Sequence, residues 1–322
     1  MPKAKRNILS LIIKFLFSFS VIAYLLIKQV PLKDILSAIG NVNVFWLILS
    51  FSLHSFGLLI SALRWQILIR AQGNDVPLNY LAKSYLVGNF FNLFLPTRFG
   101  GDIIRIWDGS RFSHSILKSS AIVLVERFTG IIILLLFAFV VSLTHLDMAR
   151  RLPVVWIALL VGFLGLLAAL FFFTPAAYFL LSKIPEKGYL QKIKIKVLEF
   201  REIVLVYGKK KKAFLWALFW AFLLQINVIL HYFLAGKAFH LDIPLLDYFI
   251  FIPIILLILT IPVTISGLGL RELIFIEIFK NYGIADQVAF SFSLVSDFAF
   301  TLIIGIIGGI IYASRREPAN HP

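Results

Sequence analysis

Cysteine is absent from the 322 residues. That excludes disulfides, thiolate metal sites, a cysteine nucleophile and palmitoylation. Charge is scarce as well: 15% of the residues are Asp, Glu, Lys or Arg, against about 25% in an average soluble domain. Acidic residues are the rarer sign, 16 against 31 Lys and Arg, so the formal net charge is +15. The six histidines (His54, His114, His145, His231, His240 and His321) are scattered. No two of them share a metal-ligand spacing, and neither a Ser/His/Asp set nor an ATP-binding P-loop is found. What abounds is apolar: 60% of the chain is hydrophobic, with a mean hydropathy of +0.94, where about 45–50% is usual. One buried core has no room for that excess, which excludes a soluble enzyme. A nucleic-acid-binding protein is excluded too, despite a pI of about 10.0. The basic residues sit in short clusters between apolar runs, the pattern of charge at a membrane surface. The expected class is an all-α integral membrane protein.

A spanning helix needs about 20 mostly apolar residues. Six runs meet that demand: Ile8–Ile27, Val44–Ser61, Ile116–Leu143, Val154–Thr174, Phe214–Ala235 and Ala285–Tyr312. Lys3, Lys5 and Arg6 precede the first, as in a signal peptide, but no small-residue cleavage site follows, so it reads as a retained anchor. Basic residues set the orientation. Arg64, Arg70, Arg111, Lys118, Lys183, Lys187, Lys192, Lys194, Lys196, Arg201, Lys209–Lys212, Arg315 and Arg316 all fall on one side if both termini are cytoplasmic. Only Lys28, Lys33, Arg150, Arg151 and Lys237 fall on the other. The sequence thus predicts a multi-pass protein of the cell (inner) membrane. Within Gln191–Tyr207, Ile193, Val197, Phe200, Val204 and Tyr207 recur at helical spacing among Lys and Glu. This predicts a basic amphipathic helix, either lying on anionic headgroups of the cytoplasmic leaflet or capping the bundle.

Two further apolar stretches are interrupted. Leu78 to about Ser110 is broken at Leu95-Pro96-Thr97-Arg98-Phe99-Gly100-Gly101-Asp102, and Pro244 to about Tyr282 at Ile261-Pro262-Val263-Thr264-Ile265-Ser266-Gly267-Leu268-Gly269-Leu270-Arg271-Glu272. Pro and Gly break helices, and each half is too short to span, which suits a re-entrant segment. The breaks resemble each other in their Pro, Thr, paired Gly and Arg. Under the orientation above they enter from opposite faces. The reading is an inverted repeat, 44–143 with a hairpin at 78–110 and 213–312 with a hairpin at 244–282, and a site near the midplane. The alternative is two ordinary Pro-kinked helix pairs.

The breaks carry Arg98, Asp102, Arg105, Arg271 and Glu272. A charge at a helix centre costs about 2.5–3.5 kcal/mol on insertion scales, and five of them, unpaired and facing lipid, on the order of 10 kcal/mol. They must pair or line a wet cavity. Asp102 and Arg105 stand at i, i+3 and are able to pair on one face. Gly100-Gly101-Asp102 would open one half-helix and Gly267-Leu268-Gly269 the other. Free N–H groups at such N-termini, with Arg98, Arg105 and Arg271, are the parts of a phosphate cradle; the bland alternative is that the pairs only hold the hairpins to the bundle. Asn89 and Asn92 face the first break and are placed to hydrogen-bond its backbone. Glu126, Arg127 and Asp297 lie inside spans as candidates for proton coupling or support.

At Phe90-Phe91-Asn92-x3-Pro96-x3-Gly100-Gly101-Asp102-x2-Arg105, then Glu126-Arg127, then Gly267-x-Gly269-x2-Glu272, the chain resembles the lysylphosphatidylglycerol synthase transmembrane region. This is the flippase-like membrane domain of the multiple peptide resistance factors. The second break has Ile265-Ser266-Gly267-Leu268-Gly269 where that family usually has Pro-Gly-Gly-x-Gly. The resemblance implies a lipid translocase acting on a phospholipid, aminoacyl-phospholipid or polyprenyl-phosphate lipid. Headgroup chemistry is then expected on a partner lipid-modifying enzyme, and no cofactor is implied. Arg98, Arg105 and Arg271 are expected to carry the phosphate, Asp102 and Glu272 to orient them, and Gly100, Gly101, Gly267 and Gly269 to permit the breaks. The rivals are an integral-membrane transferase acting on a lipid phosphate and a channel of paired half-helices. The channel lacks the Asn-Pro-Ala tips it would need. A homo-oligomer stays open.

Overall fold

The computed structural model describes residues 16, 18–94, 100–144, 153–172, 174–183, 188–260, 264 and 267–315. Arg98, the prolines of both breaks (Pro96 and Pro262), Lys3, Lys5, Arg6, Arg150, Arg151, Lys187 and Arg316 lie outside them. Among the described residues these helices follow one another: α1 (Ser18–Gln29), α2 (Leu32–Gly40), α3 (Val44–Ala71), α4 (Leu78–Phe94), α5 (Gly100–Ser113), α6 (Ile116–Thr144), α7 (Pro153–Phe172), α8 (Pro175–Ser182), α9 (Gly188–Lys209), α10 (Lys211–Ala238), α11 (Leu245–Leu259), α12 (Leu270–Lys280) and α13 (Asp286–Ser314). There is no strand among the described residues. This is an all-α membrane protein. α3, α6, α10 and α13 are each long and apolar enough to cross a membrane unbroken.

The expected fourth span, Val154–Thr174, coincides with α7, and the bend comes at its end. α7 stops at Phe172, and α8 begins at Pro175 behind an N-cap, Thr174, whose hydroxyl accepts from the Ala177 N–H at 3.3 Å. The two helices are bent by 69°. A Ser/Thr cap followed by Pro at the first helical position starts a helix rather than continuing one. Only α1 of the expected first span is described, and it is short and ends in a π-helical turn, Leu25–Gln29.

The chain divides into two compact units. One comprises Met1–Leu59, Ala82–Arg105 and Asn227–Pro322. Its core is aromatic: Phe275 and Phe279 of α12 stand 5.1 Å from Phe292 of α13, and the Tyr248 and Phe251 rings of α11 meet tilted, their centroids 4.8 Å apart. In lipid the surroundings are as apolar as the side chains, so such rings hold helices by dispersion and fit rather than by escape from water. Glycines let α13 lie close on α4. A Cβ on Gly308 would run into the Leu86 backbone, and one on Gly309 would come within 2.8 Å of the Phe90 ring. Small residues at such a seam are how membrane helices approach.

The other unit comprises Ile60–Leu81 and Ile106–Ile226. Here α6 packs on α7 and α9, and α9 docks on the end of α3. The Tyr207 hydroxyl donates to the Leu68 carbonyl at 3.0 Å and the Gln72 amide to the Ile203 carbonyl at 3.0 Å. So α9 is fastened to α3, and two of its cations turn inward. Arg201 donates to the Phe172 and Thr174 carbonyls at 3.3 and 3.2 Å, and Lys194 to the Ser182 carbonyl at 2.7 Å. The Phe172 and Ser182 carbonyls lie at the C-terminal ends of α7 and α8, where helices leave acceptors unsatisfied and favour positive charge, and the Thr174 carbonyl belongs to the N-cap of α8. Both side chains are buried, Lys194 7% and Arg201 6% exposed.

Candidate functional site

Each interrupted stretch is a pair of short helices. α4 and α5 have 17 and 14 residues, α11 and α12 have 15 and 11. α5 opens at Gly100, and α12 opens behind Gly269. The glycines serve different ends. Gly267 and Gly269 have φ of +82° and +83°, a left-handed backbone that side chains other than glycine's resist. Gly101 is a packing residue, because a Cβ there would lie 2.9 Å from the Gly88 carbonyl oxygen and from the Asn92 amide.

The Gly101 and Gly269 N–H groups are occupied by the protein itself. Gly101 N–H donates to Asn92 Oδ1 at 2.6 Å, and Gly269 N–H donates to Glu272 Oε2 at 2.7 Å. The second is the reach-back of a third-position Glu, one half of a capping box. Asn92 therefore does bond the break's backbone, whereas Asn89 turns to the Tyr85 carbonyl of its own helix at 3.0 Å.

Both described arginines of the breaks are buried and paired. Arg105, 6% exposed, gives Nη1 to Asp102 Oδ1 at 3.2 Å, and its guanidinium lies 4.0 Å over the Tyr85 ring. A cation over an aromatic face is attracted by the ring quadrupole, more strongly when water is excluded. Arg271, 2% exposed, gives Nε and Nη2 to Glu272 Oε1 at 3.1 and 2.7 Å, Nε also to Ser293 Oγ at 3.1 Å, and Nη1 to Asp297 Oδ2. Asp297 sits in a π-helical turn of α13, Leu294–Ala299, and also accepts from Thr301 at 3.3 Å. Such turns interrupt helices mainly at functional positions.

The charge balance differs from the one expected. Counted along the sequence, three Arg faced one Asp and one Glu. In the structure Asp297 joins the second hairpin, so Arg105 and Arg271 face Asp102, Glu272 and Asp297. The described groups carry one formal charge of −1 when all are ionised, and Arg98 lies outside the described residues.

Sequence reasoning missed Ser293, Tyr85, Arg64 and His231. Ser293 and Asp297 stand at i, i+4, a spacing that brings both to one face of α13. His231 Nε2 lies 3.0 Å from the Ser296 carbonyl in the same π-helical turn, and Nδ1 lies 2.8 Å from the Ser50 hydroxyl and 3.1 Å from the Ser50 carbonyl. Arg64, counted above among the flanking cytoplasmic charges, lies inside α3 and is 4% exposed. It donates to the Glu126 carbonyl at 2.6 Å and lies 3.7 Å from the Glu126 carboxylate. Glu126 is buried with it, and Arg127, the next residue, is half-buried on another face of α6.

The model of one family, the lysylphosphatidylglycerol synthase TM region, matches residues 11–309. No curated protein and no solved structure matches the chain. With the match covering nearly its whole length, the chain belongs to the lysylphosphatidylglycerol synthase TM region family.

Proposed function

We propose that this member of the family is a lipid translocase, which moves a phosphate-headgroup lipid between leaflets by letting buried arginines exchange a carboxylate for the lipid phosphate. The observation that carries the reading is the buried, carboxylate-held arginine on the second helix of each broken pair: Arg105 with Asp102, and Arg271 with Glu272 and Asp297. A guanidinium in a low-dielectric setting must keep an anion at all times. The protein's carboxylates meet that need at rest. A phosphate, the anion that a bilayer supplies, offers two oxygens that a planar guanidinium grips bidentately.

In this reading, displacement of Asp297 from Arg271 frees α13 from the second hairpin, and displacement of Asp102 from Arg105 loosens the first. Asp297, once released into apolar surroundings, takes up a proton, which is where a gradient would couple. Arg98 is assigned the same role as Arg105. Gly100, Gly101, Gly267 and Gly269 hold the helix starts in place. The hairpins are re-entrant from opposite faces, the termini are cytoplasmic, and the membrane is the cell (inner) membrane. Glu272 is a poor base for a transferase, since Oε1 is engaged by Arg271 and Ser293 and Oε2 by the Gly269 N–H.

The test is reconstitution into liposomes with a fluorescent phospholipid and a membrane-impermeant quencher. The wild type should speed redistribution between leaflets, Arg105→Lys and Arg271→Lys should keep part of that rate, and Arg105→Gln and Arg271→Gln none. A wild-type rate equal to that of protein-free liposomes would sink the reading. Formation of a modified lipid when a donor is supplied would establish the transferase instead. Orientation is checked separately, with single cysteines at Lys210 and Asp242, exposed positions flanking the span α10. They should label from opposite sides, position 210 from the cytoplasm.

A further inference from the structure

The elbow between α9 and α10 gathers cations with no role in the hairpins. Lys209 ends α9, Lys211 begins α10, and Lys210 joins them. With Arg70 and Ile67 from the end of α3, and Trp216 from α10, Lys209–Lys212 line an open cleft of about 540 Å³. All four lysines are exposed. Among the described residues none of them forms an ion pair, and the one carboxylate bound at the cleft is Asp75, 2.7 Å from Arg70. Five positive charges therefore face one negative charge.

The fold makes this arrangement unfavourable by itself. Lys211 and Lys212 occupy the first turn of a 28-residue helix that has no acidic residue there, where the backbone already presents positive charge. Their mutual repulsion adds to it, and an external anion relieves both.

The wall chooses the kind of anion. Ile67 and Trp216 give the cleft an apolar side. From its mouth an exposed apolar stripe runs along α10 through Leu215, Phe219 and Phe222, at i, i+4 and i+7. Tryptophan is favoured where a bilayer meets water, and basic residues beside a span attract anionic headgroups. We infer that this cleft is a binding site for one anionic glycerophospholipid, with the phosphate among Arg70 and Lys210–Lys212 and an acyl chain along Leu215, Phe219 and Phe222. The site is separate from the hairpin arginines and does not depend on the transport reading.

The experiment uses the full chain in nanodiscs of phosphatidylcholine with graded phosphatidylglycerol, with bound lipid counted by mass spectrometry of the intact complex. Wild type should retain phosphatidylglycerol over phosphatidylcholine. Lys210→Gln/Lys211→Gln/Lys212→Gln should lower that retention by about tenfold or more, given what each surface cation contributes. Phe219→Ser should lower it with the charges intact, and Lys196→Gln, an exposed lysine of α9 outside the cleft, should leave it unchanged. Inorganic phosphate and glycerophosphoglycerol should not compete. Equal loss from Lys196→Gln would mean diffuse attraction to the leaflet, and competition by free phosphate would mean a soluble-anion site; either overturns the inference. If the triple variant fails to fold, Arg70→Gln and competition on the wild type decide the matter.

Discussion

Arg271 and Asp297 hold each other across 26 positions of the sequence, and this ion pair ties α12 to the last span. The same span presses Gly308 against α4, on the order of 15 Å further along its axis at 1.5 Å per residue. One helix therefore contacts both interrupted pairs, and a change at Asp297 is placed to be felt at each.

Removal of one partner should unfold this arrangement more than removal of all its charge. Arg271→Ala takes the guanidinium from the buried Glu272 and from the partly buried Asp297, a loss of roughly 3–5 kcal/mol for a buried pair. Arg271→Met/Glu272→Gln/Asp297→Asn has no charge to strand, and the amide introduced at position 272 still accepts from the Gly269 N–H. Thermal unfolding in detergent should place the triple variant near the wild type and Arg271→Ala well below. Lipid redistribution should be absent in both. A triple variant that transports normally would reduce the triad to scaffolding.

The glycines should separate by what surrounds them. Gly269→Ala forces a side chain into a left-handed backbone and toward Val21, 3.1 Å away, at a cost of roughly 1–2 kcal/mol or more. Gly101→Ala drives α5 from Gly88 and should lower the melting temperature as well. Gly165→Ala, within α7 with nothing inside 4 Å, should be neutral or stabilise by roughly 0.5–1 kcal/mol. Melting curves of the three purified variants give the order. Gly101→Ala matching Gly165→Ala would contradict the close α4–α5 contact.

The hairpin contacts made within a few residues were legible in the sequence. The i, i+3 spacing gave Asp102–Arg105, and the glycine pairs marked where α5 and α12 begin. Contacts that need the third dimension were not. Nothing near Arg271 in the chain points to Asp297, so the count of charges came out positive. Arg64 follows the apolar run Val44–Ser61 by three residues, and a charge there reads as the end of a span. The helix continues to Ala71 because Glu126 and its carbonyl, 62 positions later, receive the guanidinium. The inward contacts of Lys194 and Arg201 were not legible for the same reason: their carbonyl partners lie at the ends of other helices, which no local spacing reveals.

Alkaline pH should loosen α9. Burial pushes the Tyr207 phenol up from its ordinary 10.0, against a smaller opposing effect of the Gln72 side chain. A phenol with a raised folded value keeps its proton in the native state while the unfolded chain releases one. Its contribution is complete below about pH 10 and lost as pH rises beyond. Tyr207→Phe should cost about 1 kcal/mol at neutral pH, for the lost bond to Leu68. It should also show a smaller drop in melting temperature between about pH 8 and about pH 11 than the wild type. Parallel drops in the two proteins would remove Tyr207 from the alkaline response.

The Arg64–Glu126 contact makes the most discriminating test of a buried charge here, because its parts are unequal. The guanidinium is 2.6 Å from the Glu126 carbonyl oxygen but 3.7 Å from the carboxylate, and only the shorter distance is a hydrogen bond. Arg64 therefore serves first as a brace between α3 and the backbone of α6, and the ion pair adds a longer-range attraction. Glu126→Gln keeps the carbonyl and should cost about 1 kcal/mol, near the worth of one ordinary polar contact. Arg64→Ala strands the Glu126 carboxylate in the bundle and should cost roughly 3–5 kcal/mol. Arg64→Met/Glu126→Leu removes the brace and the stranded charge together and should recover much of that loss, because a well-packed apolar pair often matches a buried ion pair. Unfolding of the three variants in one detergent measures all three effects. Equal losses for Arg64→Ala and Glu126→Gln would mean that the carboxylate, not the carbonyl, is what Arg64 holds.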